Sequence, residues 1–363
     1  MNTHKLKNIL VAPLDWGLGH TTRCVPMIQF LLSSGHNVLF AGNDWQRQYI
    51  LRNFPSIETI HLEGYDVRYA KSRIGFSLSL LRQTPCLLKT IKKEHEWLIN
   101  LVAERKIDGI ISDNRYGLYH PSVPSVIITH QLQIQSGLGK TTNDLLRKLH
   151  YKYLGRFNEC WVADVEGSPN LSSKLAHPKT LPANAKYIGW LSQIAGQNIA
   201  TKEEHLLVLL SGPEPQRSIL SKILWQQVIK LDQKIVFVEG SDMTAKPDFI
   251  PSHISYHKRL NRDELLPLIA NASFVICRSG YSSLMDLLAM KKKAIIIPTP
   301  GQTEQEYLAK HLHQEGVLYS KEQKGFDLKK ALTEAKGFPF KKISIGVEFR
   351  LHQSVLNNWM DKI

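Results

Sequence analysis

Cysteine is scarce in this chain, and its few cysteines are far apart. They are Cys24, Cys86, Cys160 and Cys277, and no two of them form a Cys-x-x-Cys motif. Such spacing argues against a structural zinc site and against a disulfide framework, and it is typical of proteins in a reducing compartment. We therefore expect no metal site and no disulfide.

Long apolar runs are also missing. The first apolar segment, Ile9 to Pro13, is too short for a signal-peptide core or a membrane-spanning helix, and the residues before it are polar and basic. No low-complexity tract, solenoid repeat or known nucleic-acid-binding module is present. We expect a cytoplasmic protein that does not bind nucleic acid.

Acidic residues are few relative to basic ones, since 46 Lys and Arg face 32 Asp and Glu and give a formal charge of +14. From Arg68 to Lys93 basic side chains alternate with apolar ones without any acidic residue. That mixture suits anionic lipid headgroups, so we expect peripheral contact with the inner face of the plasma membrane. A second stretch, from Arg147 to Arg156, follows a similar helical pattern. For either, the alternative is a solvated helix face over a core stripe.

The order of apolar segments indicates an α/β fold. A continuous apolar strand from Asn8 to Pro13 is followed by a helical pattern and by another strand from Asn37 to Ala41. Similar alternation continues to Ala163 and starts again at His205, and 363 residues are enough for two domains. We predict two Rossmann-like domains that face a cleft.

The domain limits follow from composition. Residues 1–165 form the predicted N-terminal acceptor domain, and residues 166–200, rich in Ser, Pro, Asn and Gly, form an interdomain segment. Residues 201–345 form the predicted C-terminal donor domain. Residues 346–363 are predicted to form a helix that crosses back to the N-terminal domain.

The first candidate site follows the first strand. Gly17-x-Gly19-His20 lies where parallel strands present ligand-binding loops, and its glycines let the backbone approach a ligand closely. An imidazole titrates near neutral pH, so His20 is the favoured general base, with Asp15 and Asp113 as rivals. The alternative is a nucleotide-fold turn whose ligand is unknown.

The second candidate site is the turn Arg278-Ser279-Gly280-Tyr281-Ser282-Ser283, between a buried strand and a helix. Amides of Tyr281 to Ser283 at the helix N-terminus, with nearby hydroxyls and the charge of Arg278, suit a phosphate. A carboxylate one turn later, Asp286, can accept both hydroxyls of a ribose. The alternative is a helix capped by its own serines that binds no ligand.

These residues resemble the family 28 glycosyltransferases, and most closely the branch that transfers N-acetylglucosamine to lipid-linked muramoyl-pentapeptide in peptidoglycan synthesis. The resemblance rests on Cys277 to Gly280, on Asp286 where the family carries Glu, on Pro298, and on the run Glu304-Gln305-Glu306-Tyr307 with Ala309. It implies the GT-B fold, a UDP diphosphate on the helix that follows Gly280, and a ribose on Asp286. It also implies that the segment Glu304, Gln305 and Glu306 holds the donor sugar.

The resemblance extends more loosely to other loops. It assigns Ser211 and Gly212 to a donor-side turn, and it places Leu260, within His257 to Leu265, beside the uracil. On the acceptor side it assigns Gly17, Gly19, His130 and Gln131, with a loop that continues to Gly137 and Leu138. Asn114 and Arg115, next to Asp113, are also assigned there. Gln193 stands where the family has a phosphate-binding Arg and Gln131 where it has Glu, which leaves donor sugar and acceptor open.

The resemblance implies an inverting, metal-independent transfer of a hexosyl or N-acetylhexosaminyl group from a UDP-sugar to a lipid or lipid-linked acceptor. No Asp-x-Asp motif is present, and we expect no cofactor besides the UDP-sugar substrate. One alternative is a UDP-sugar hydrolase of acidic-sugar biosynthesis, because Gly17 to Cys24 also resembles the Gly-x-Gly-His-x-x-Arg-Cys loop of such enzymes. Another is a non-catalytic UDP-sugar-binding subunit.

Overall fold

The computed structural model describes residues 6–65, 73–134, 139–195, 202–241, 243–343 and 347–363. The chain divides into two compact units. The N-terminal unit contains the described residues within Met1–Arg68, Ser77–Gln193 and Gly346–Ile363, and the C-terminal unit those within Tyr69–Phe76 and Ile194–Ile345. Each unit is an open parallel sheet with helices, so the predicted α/β fold with two Rossmann-like domains is confirmed.

The N-terminal unit is built on a seven-stranded parallel sheet with the order β3-β2-β1-β4-β5-β6-β7. Its strands are β1 (Asn8–Pro13), β2 (Asn37–Gly42), β3 (Glu58–His61), β4 (Gly109–Asp113), β5 (Ser125–Thr129), β6 (Glu159–Val162) and β7 (Ala185–Tyr187). Its first helices are α1 (Leu18–Ser33), α2 (Asp44–Asn53), α3 (Arg73–Glu104) and α4 (Lys140–Leu154). Strands β4 and β5 are buried along their whole length, as in a sheet covered on both faces.

The C-terminal unit contains a six-stranded parallel sheet with the order β10-β9-β8-β11-β12-β13. Its strands are β8 (His205–Leu209), β9 (Ile235–Val238), β10 (Ile254–His257), β11 (Ala272–Cys277), β12 (Ala294–Ile296) and β13 (Tyr319–Ser320). Its helices are α5 (Gln216–Val228), α6 (Arg262–Ala270), α7 (Tyr281–Ala289), α8 (Thr303–Gln314) and α9 (Leu328–Lys336). Val208, Phe237 and Ile276 of the central strands are wholly buried in its core.

The last helix, α10 (Leu351–Met360), belongs to the N-terminal unit. Its Trp359 meets Trp161 of β6 edge to face, with ring centroids 5.6 Å apart. A β-carbon at Gly109 would stand 2.5 Å from the Trp359 ring, so β4 needs a glycine where this helix packs.

The structure differs from the prediction at several local features. Of the predicted interdomain segment 166–200, residues 166–193 fold into the N-terminal unit, because β7 extends its sheet beside β6. Helix α3 begins at Arg73 and therefore includes most of the segment Arg68 to Lys93. Helix α1 begins before Thr21 and Thr22, which therefore do not cap it. Instead Thr22 donates to Gly19 O at 3.1 Å.

Strand order fixes where ligand-binding loops lie. In each sheet the chain first builds outward to one side and then returns to the centre, so the order reverses between β1 and β4 and between β8 and β11. Ligands of open α/β sheets bind at the carboxyl ends of the strands at such a point. The loops after β1 and β4 in one unit, and after β8 and β11 in the other, are therefore the places to look for a site.

Candidate functional site

The reversal in the N-terminal sheet brings together side chains that are far apart in sequence. Pro13 of β1 pairs with Asp113 of β4, and His20 stands in the first turn of α1. His20 Nδ1 lies 3.0 Å from Asp113 Oδ1, across 93 residues of sequence. The predicted base and one of its predicted rivals thus form a histidine–carboxylate pair.

Arg23, one helical turn after His20, binds the same carboxylate. Its Nε and Nη2 donate to the two oxygens of Asp113, and its Nη1 lies 2.8 Å from His130 Nδ1. Arg23 is 1% exposed and Asp113 0% exposed, so this ion pair is sealed from water. Arg23 is the Arg of the Gly-x-Gly-His-x-x-Arg-Cys pattern but was assigned no role, although its spacing of three from His20 places both on one helix face.

Burial and charge separate the roles of His20 and Asp113. Burial lowers the pKa of His20, and Asp113 opposes that effect only in part. Burial acts to raise the pKa of Asp113, but Arg23 and then His20 outweigh it and lower the pKa to about 2. Asp113 is therefore an anion at neutral pH and a poor base, whereas His20 is neutral and can accept a proton.

Asp15, the other predicted alternative to His20 as the base, accepts a hydrogen bond from the backbone. Its Oδ1 accepts from Tyr65 N at 3.0 Å, and a β-carbon at Gly64 would stand 2.1 Å from its Oδ2. The Asp15 carboxylate therefore holds the loop after β3 against the loop after β1.

Asn114 and Arg115 follow β4 directly. Asn114 has a positive φ of 57°, which few non-glycine residues adopt, and which turns its amide toward the end of β5. Arg115 is 0% exposed, lies 3.1 Å from Glu94 of α3, and donates to Glu63 O at 2.7 Å. Arg115 is thus a buried cation that contacts α3 and the loop after β3, and its acceptor-side role stays a prediction.

The remaining acceptor-side predictions fall on two loops. Gly17 precedes α1 with φ of 91°, and a β-carbon there would meet no atom within 4 Å. The α1 N-terminus, with Gly19 in its first turn, thus has no side-chain cap. His130 is buried and Gln131 half-buried after β5, where Gln131 N donates to Thr129 Oγ1 at 3.2 Å. Gly137 and Leu138 lie outside the described residues.

The reversal in the C-terminal sheet places Gly212 and Gly280 at one edge, because Leu209 of β8 pairs with Cys277 of β11. Gly280 is the N-cap of α7 and provides no side-chain cap. A β-carbon on Gly280, or on Gly212 with its φ of 104°, would meet no atom within 4 Å. A ligand can therefore approach the backbone closely at both glycines.

The side chains of Arg278 and Ser279 are buried and hydrogen-bonded within the protein, whereas the prediction used Arg278 as a phosphate-binding charge. Arg278 is 2% exposed, and its guanidinium donates to oxygens of Gln216 (2.7 Å), Gln323 (2.6 Å), Pro298 (3.2 Å) and Ile297 (3.3 Å). Ser279 is wholly buried and donates to Gln305 O at 2.9 Å. These contacts hold the turn after β11 against α5 and α8.

The first turns of α7 and α8 carry the other donor-side predictions. Tyr281 is buried, whereas Ser282, Ser283 and Asp286 are half-buried. In α8 the Gln305 side chain accepts from Thr299 N at 3.0 Å and Glu306 from Gly301 N at 2.9 Å, so both shape the preceding loop. Glu304 is half-buried, as are Ser211 after β8 and Leu260 before the α6 N-cap.

Among the described residues, no group of three or more His, Cys, Asp and Glu side chains is placed to hold a metal ion. Helices that could cross a membrane are likewise absent from the part of the chain that the structure describes.

Sequence comparisons connect the C-terminal unit with known transferases. Residues 222–339 match the family model described as glycosyltransferase family 28 C-terminal domain. An uncharacterized glycosyltransferase of Methanosarcina mazei is 22% identical over 326 residues, which cover 83% of this chain and 82% of that protein.

Bacterial transferases match over a shorter range. The UDP-N-acetylglucosamine–N-acetylmuramyl-(pentapeptide) pyrophosphoryl-undecaprenol N-acetylglucosamine transferase of Histophilus somni is 26% identical, and the match covers 56% of this chain and 55% of that protein. The corresponding transferase of Pasteurella multocida is 26% identical over 53% of this chain and 50% of its own length. The chain thus spans about half the length of these transferases.

Solved glycosyltransferase structures share the fold over nearly the whole chain. The spinosyn rhamnosyltransferase SpnG has a TM-score of 0.62 at 14% identity, covering 98% of this chain and 96% of its own. MurG of Acinetobacter baumannii has a TM-score of 0.53 at 13% identity, covering 99% of this chain and all of its own. At such identities the likeness establishes the GT-B fold.

Proposed function

We propose that this chain, which has the GT-B fold and matches the family 28 C-terminal domain over residues 222–339, transfers a hexosyl or N-acetylhexosaminyl group from a UDP-sugar to a lipid-linked acceptor. The observation that carries the donor assignment is the start of α7. This helix begins at Gly280 without a side-chain cap, where the order of the C-terminal sheet reverses.

The proposed donor site uses the backbone for the phosphates and a carboxylate for the ribose. Amides of Tyr281 to Ser283 at the helix N-terminus attract the diphosphate, and the half-buried Asp286 accepts from the ribose hydroxyls. As the bond to the sugar breaks, negative charge grows on the β-phosphate of the departing UDP. Preorganised amides stabilise that charge without needing to reorganise.

The proposed base is His20. Its Nε2 takes the proton of the acceptor hydroxyl, the hydroxyl oxygen bonds to the anomeric carbon on the face opposite UDP, and the bond from that carbon to the β-phosphate oxygen breaks. The configuration at the anomeric carbon is thereby inverted. Asp113, held anionic and 3.0 Å from Nδ1, orients the ring and stabilises the imidazolium that forms.

A lipid-linked acceptor is supported by the names of the Histophilus and Pasteurella relatives, which act on a pyrophosphoryl-undecaprenol substrate. It is also supported by the surface of the N-terminal unit. On α4, Leu145 and Leu149 are 68% and 51% exposed, and Lys148 and Lys152 are exposed beside them.

This face of α4 adjoins a shallow cavity of about 260 Å³ lined by basic, aromatic and aliphatic side chains: Leu88, Ile91, Lys92, His95, Tyr119, Tyr153 and Arg156. The Arg156 guanidinium lies 4.4 Å from the ring centroid of Tyr153 and 5.3 Å from that of Tyr119. Exposed leucines next to cations fit an anionic lipid surface. Arg68 to Lys71 of the predicted membrane segment lie outside the described residues, as do the side chains of residues 73–83.

The transfer is tested with purified protein, radiolabelled UDP-sugars and a bacterial lipid extract. We expect one UDP-sugar to give a labelled lipid product together with UDP. In the His20→Ala variant we expect UDP binding to persist while the product is lost. Free sugar released at the same rate with and without lipid would instead establish the hydrolase, and binding without either product would establish the non-catalytic subunit.

Membrane contact is tested by flotation with vesicles of phosphatidylglycerol or of phosphatidylcholine alone. We expect binding to the anionic vesicles only, and weaker binding for Lys148→Glu/Lys152→Glu. Lys222→Glu/Lys329→Glu, on exposed positions of the C-terminal unit, makes the same charge change and serves as the control. Equal effects of the two double variants would contradict a role for this face of α4.

A further inference from the structure

Arg23 contacts a strand end, a helix and a loop at the carboxyl edge of the N-terminal sheet. Its guanidinium donates to both oxygens of Asp113 at the end of β4 and reaches His130 Nδ1, after β5, at 2.8 Å. Its Nη2 also lies 2.9 Å from His20 Nδ1 in α1. One buried cation therefore connects two histidines to the same carboxylate.

The hydrogen bond to His130 determines where that ring carries its proton. A guanidinium only donates, so His130 Nδ1, 2.8 Å from Arg23 Nη1, must accept. A ring that accepts at Nδ1 is neutral and carries its hydrogen on Nε2. His130 is thus arranged as a hydrogen-bond donor at Nε2 and not as a base.

The hydrogen bonds of Nη2 determine the opposite arrangement in His20. Asn114 satisfies its neighbours when its amide nitrogen donates to Ile128 O and Thr129 Oγ1, both at 3.1 Å, and its oxygen then accepts from Arg23 Nη2 at 3.2 Å. The two hydrogens of Nη2 go to Asn114 and Asp113, so neither is available to His20. His20 Nδ1 therefore carries a hydrogen and donates to Asp113, which leaves the lone pair on Nε2.

We propose that Arg23 is a positioning residue that fixes the two histidines in opposite tautomers, His20 as a proton acceptor at Nε2 and His130 as a hydrogen-bond donor at Nε2. Arg23 also keeps His20 uncharged, because a buried guanidinium beside the ring opposes a second positive charge. Use of these states in the reaction rests on the proposed function, whereas the tautomers themselves do not.

Among the described residues, the titratable groups that act on His20 are Asp113, Arg23 and His130. Asp113 of β4 favours the imidazolium, whereas Arg23 of α1 and His130 after β5 oppose it. Cys24 Sγ lies 4.0 Å from Asp113 Oδ2, and burial followed by the charge of Asp113 raises the pKa of its thiol well above the usual range, so it stays neutral. Without Arg23, only burial and His130 would oppose the effect of Asp113 on the pKa of His20.

The tautomers are measured directly by long-range ¹H–¹⁵N correlation spectra of the wild-type protein with ¹⁵N-labelled histidine. The His20→Gln and His130→Gln variants assign the two rings. We expect a protonated Nδ1 and an unprotonated Nε2 for His20, and the reverse for His130. The same tautomer on both rings, or a protonated His130 Nδ1, would overturn the proposal, and neither result depends on any sugar transfer.

The effect on the base is measured with Arg23→Met and Arg23→Lys. Removing the cation should raise the pKa of His20 in an NMR titration, and the acid limb of kcat/KM, by about one to three pH units. Lys keeps the charge without the fork, so it should restore the His20 titration while leaving His130 in mixed tautomers. An unchanged His20 titration in Arg23→Met would refute the proposal. If Arg23→Met does not fold, the wild-type spectra and Arg23→Lys still decide it.

Discussion

Replacing Asp113 with Asn is the sharpest single perturbation of the N-terminal site. Asn has nearly the same shape as Asp, but it carries no charge, and only one of its two terminal atoms accepts hydrogen bonds. In the wild type both carboxylate oxygens accept from Arg23, and one also lies 3.0 Å from His20 Nδ1. The variant therefore cannot satisfy all of these donors.

The structure gives the expected size of both effects. Asp113 is 0% exposed and Arg23 1% exposed, so the substitution leaves a buried cation without its counter-charge, which destabilises a protein by roughly 3–5 kcal/mol. Turnover should fall by about 10³-fold or more, because the amide no longer selects the His20 tautomer with a free Nε2. UDP affinity should not change, because UDP is proposed to bind at the N-terminus of α7 and not at Asp113.

The assay combines urea unfolding, titration of UDP by calorimetry, and turnover with the best UDP-sugar. Asp44→Asn is the matched control, because Asp44 also pairs with an arginine, Arg47, but is 74% exposed. We expect the control to leave stability and turnover unchanged. Wild-type stability together with wild-type turnover in Asp113→Asn would refute the assigned role of this carboxylate.

Three further predictions follow. Burial lowers the pKa of His20, so kcat/KM should stay level as pH falls from 8 to about 6.5 and decline only below it. A decline of kcat/KM that already begins above pH 7 would contradict a neutral His20 as the base. The pKa of Asp113 is about 2 in the folded protein, so its ionised form contributes roughly 2–3 kcal/mol to the free energy of unfolding above about pH 4. This contribution should be lost as pH falls through 2. Urea unfolding of the wild type and of Asp113→Asn across this pH range measures it. Arg278→Gln should destabilise the folded protein by roughly 2–4 kcal/mol, because buried carbonyl oxygens lose their hydrogen-bond donors. Under native conditions this variant should still bind UDP as the wild type does. Normal stability together with lost UDP binding would show instead that Arg278 binds phosphate.

Strong local patterns made much of the fold predictable. Buried strands such as β1 and β11 are mainly apolar runs. The turns after them contain glycines, which are typical of loops where the backbone approaches a ligand closely. The short strands β7 and β13, with three and two residues, leave no period to detect, and they were missed. The predicted limit at residue 165 failed for the same reason, because β7 continues the first sheet beyond it.

The site was predictable in its positions but not in its contacts. His20 and Asp113 were both selected, yet only the placement of β4 beside β1 shows that they are partners and not rivals. Arg278 was assigned to phosphate because it precedes a turn that suits a phosphate. Its burial and its hydrogen bonds to Gln216 and Gln323 depend on distant segments that the local pattern does not reveal. Arg23 was present in the Gly-x-Gly-His-x-x-Arg-Cys pattern but was assigned no role, because a helical arginine is ordinarily solvated.

A crystal structure of the protein with bound UDP tests the central claim most directly. The account predicts the diphosphate within hydrogen-bonding distance of the amides of Tyr281 to Ser283, and the ribose hydroxyls on Asp286. Weakening of UDP binding by about 10–100-fold in Asp286→Asn would accompany that result. UDP seated at the N-terminus of α1, or elsewhere on the chain with Asp286→Asn binding it as wild type does, would contradict the account.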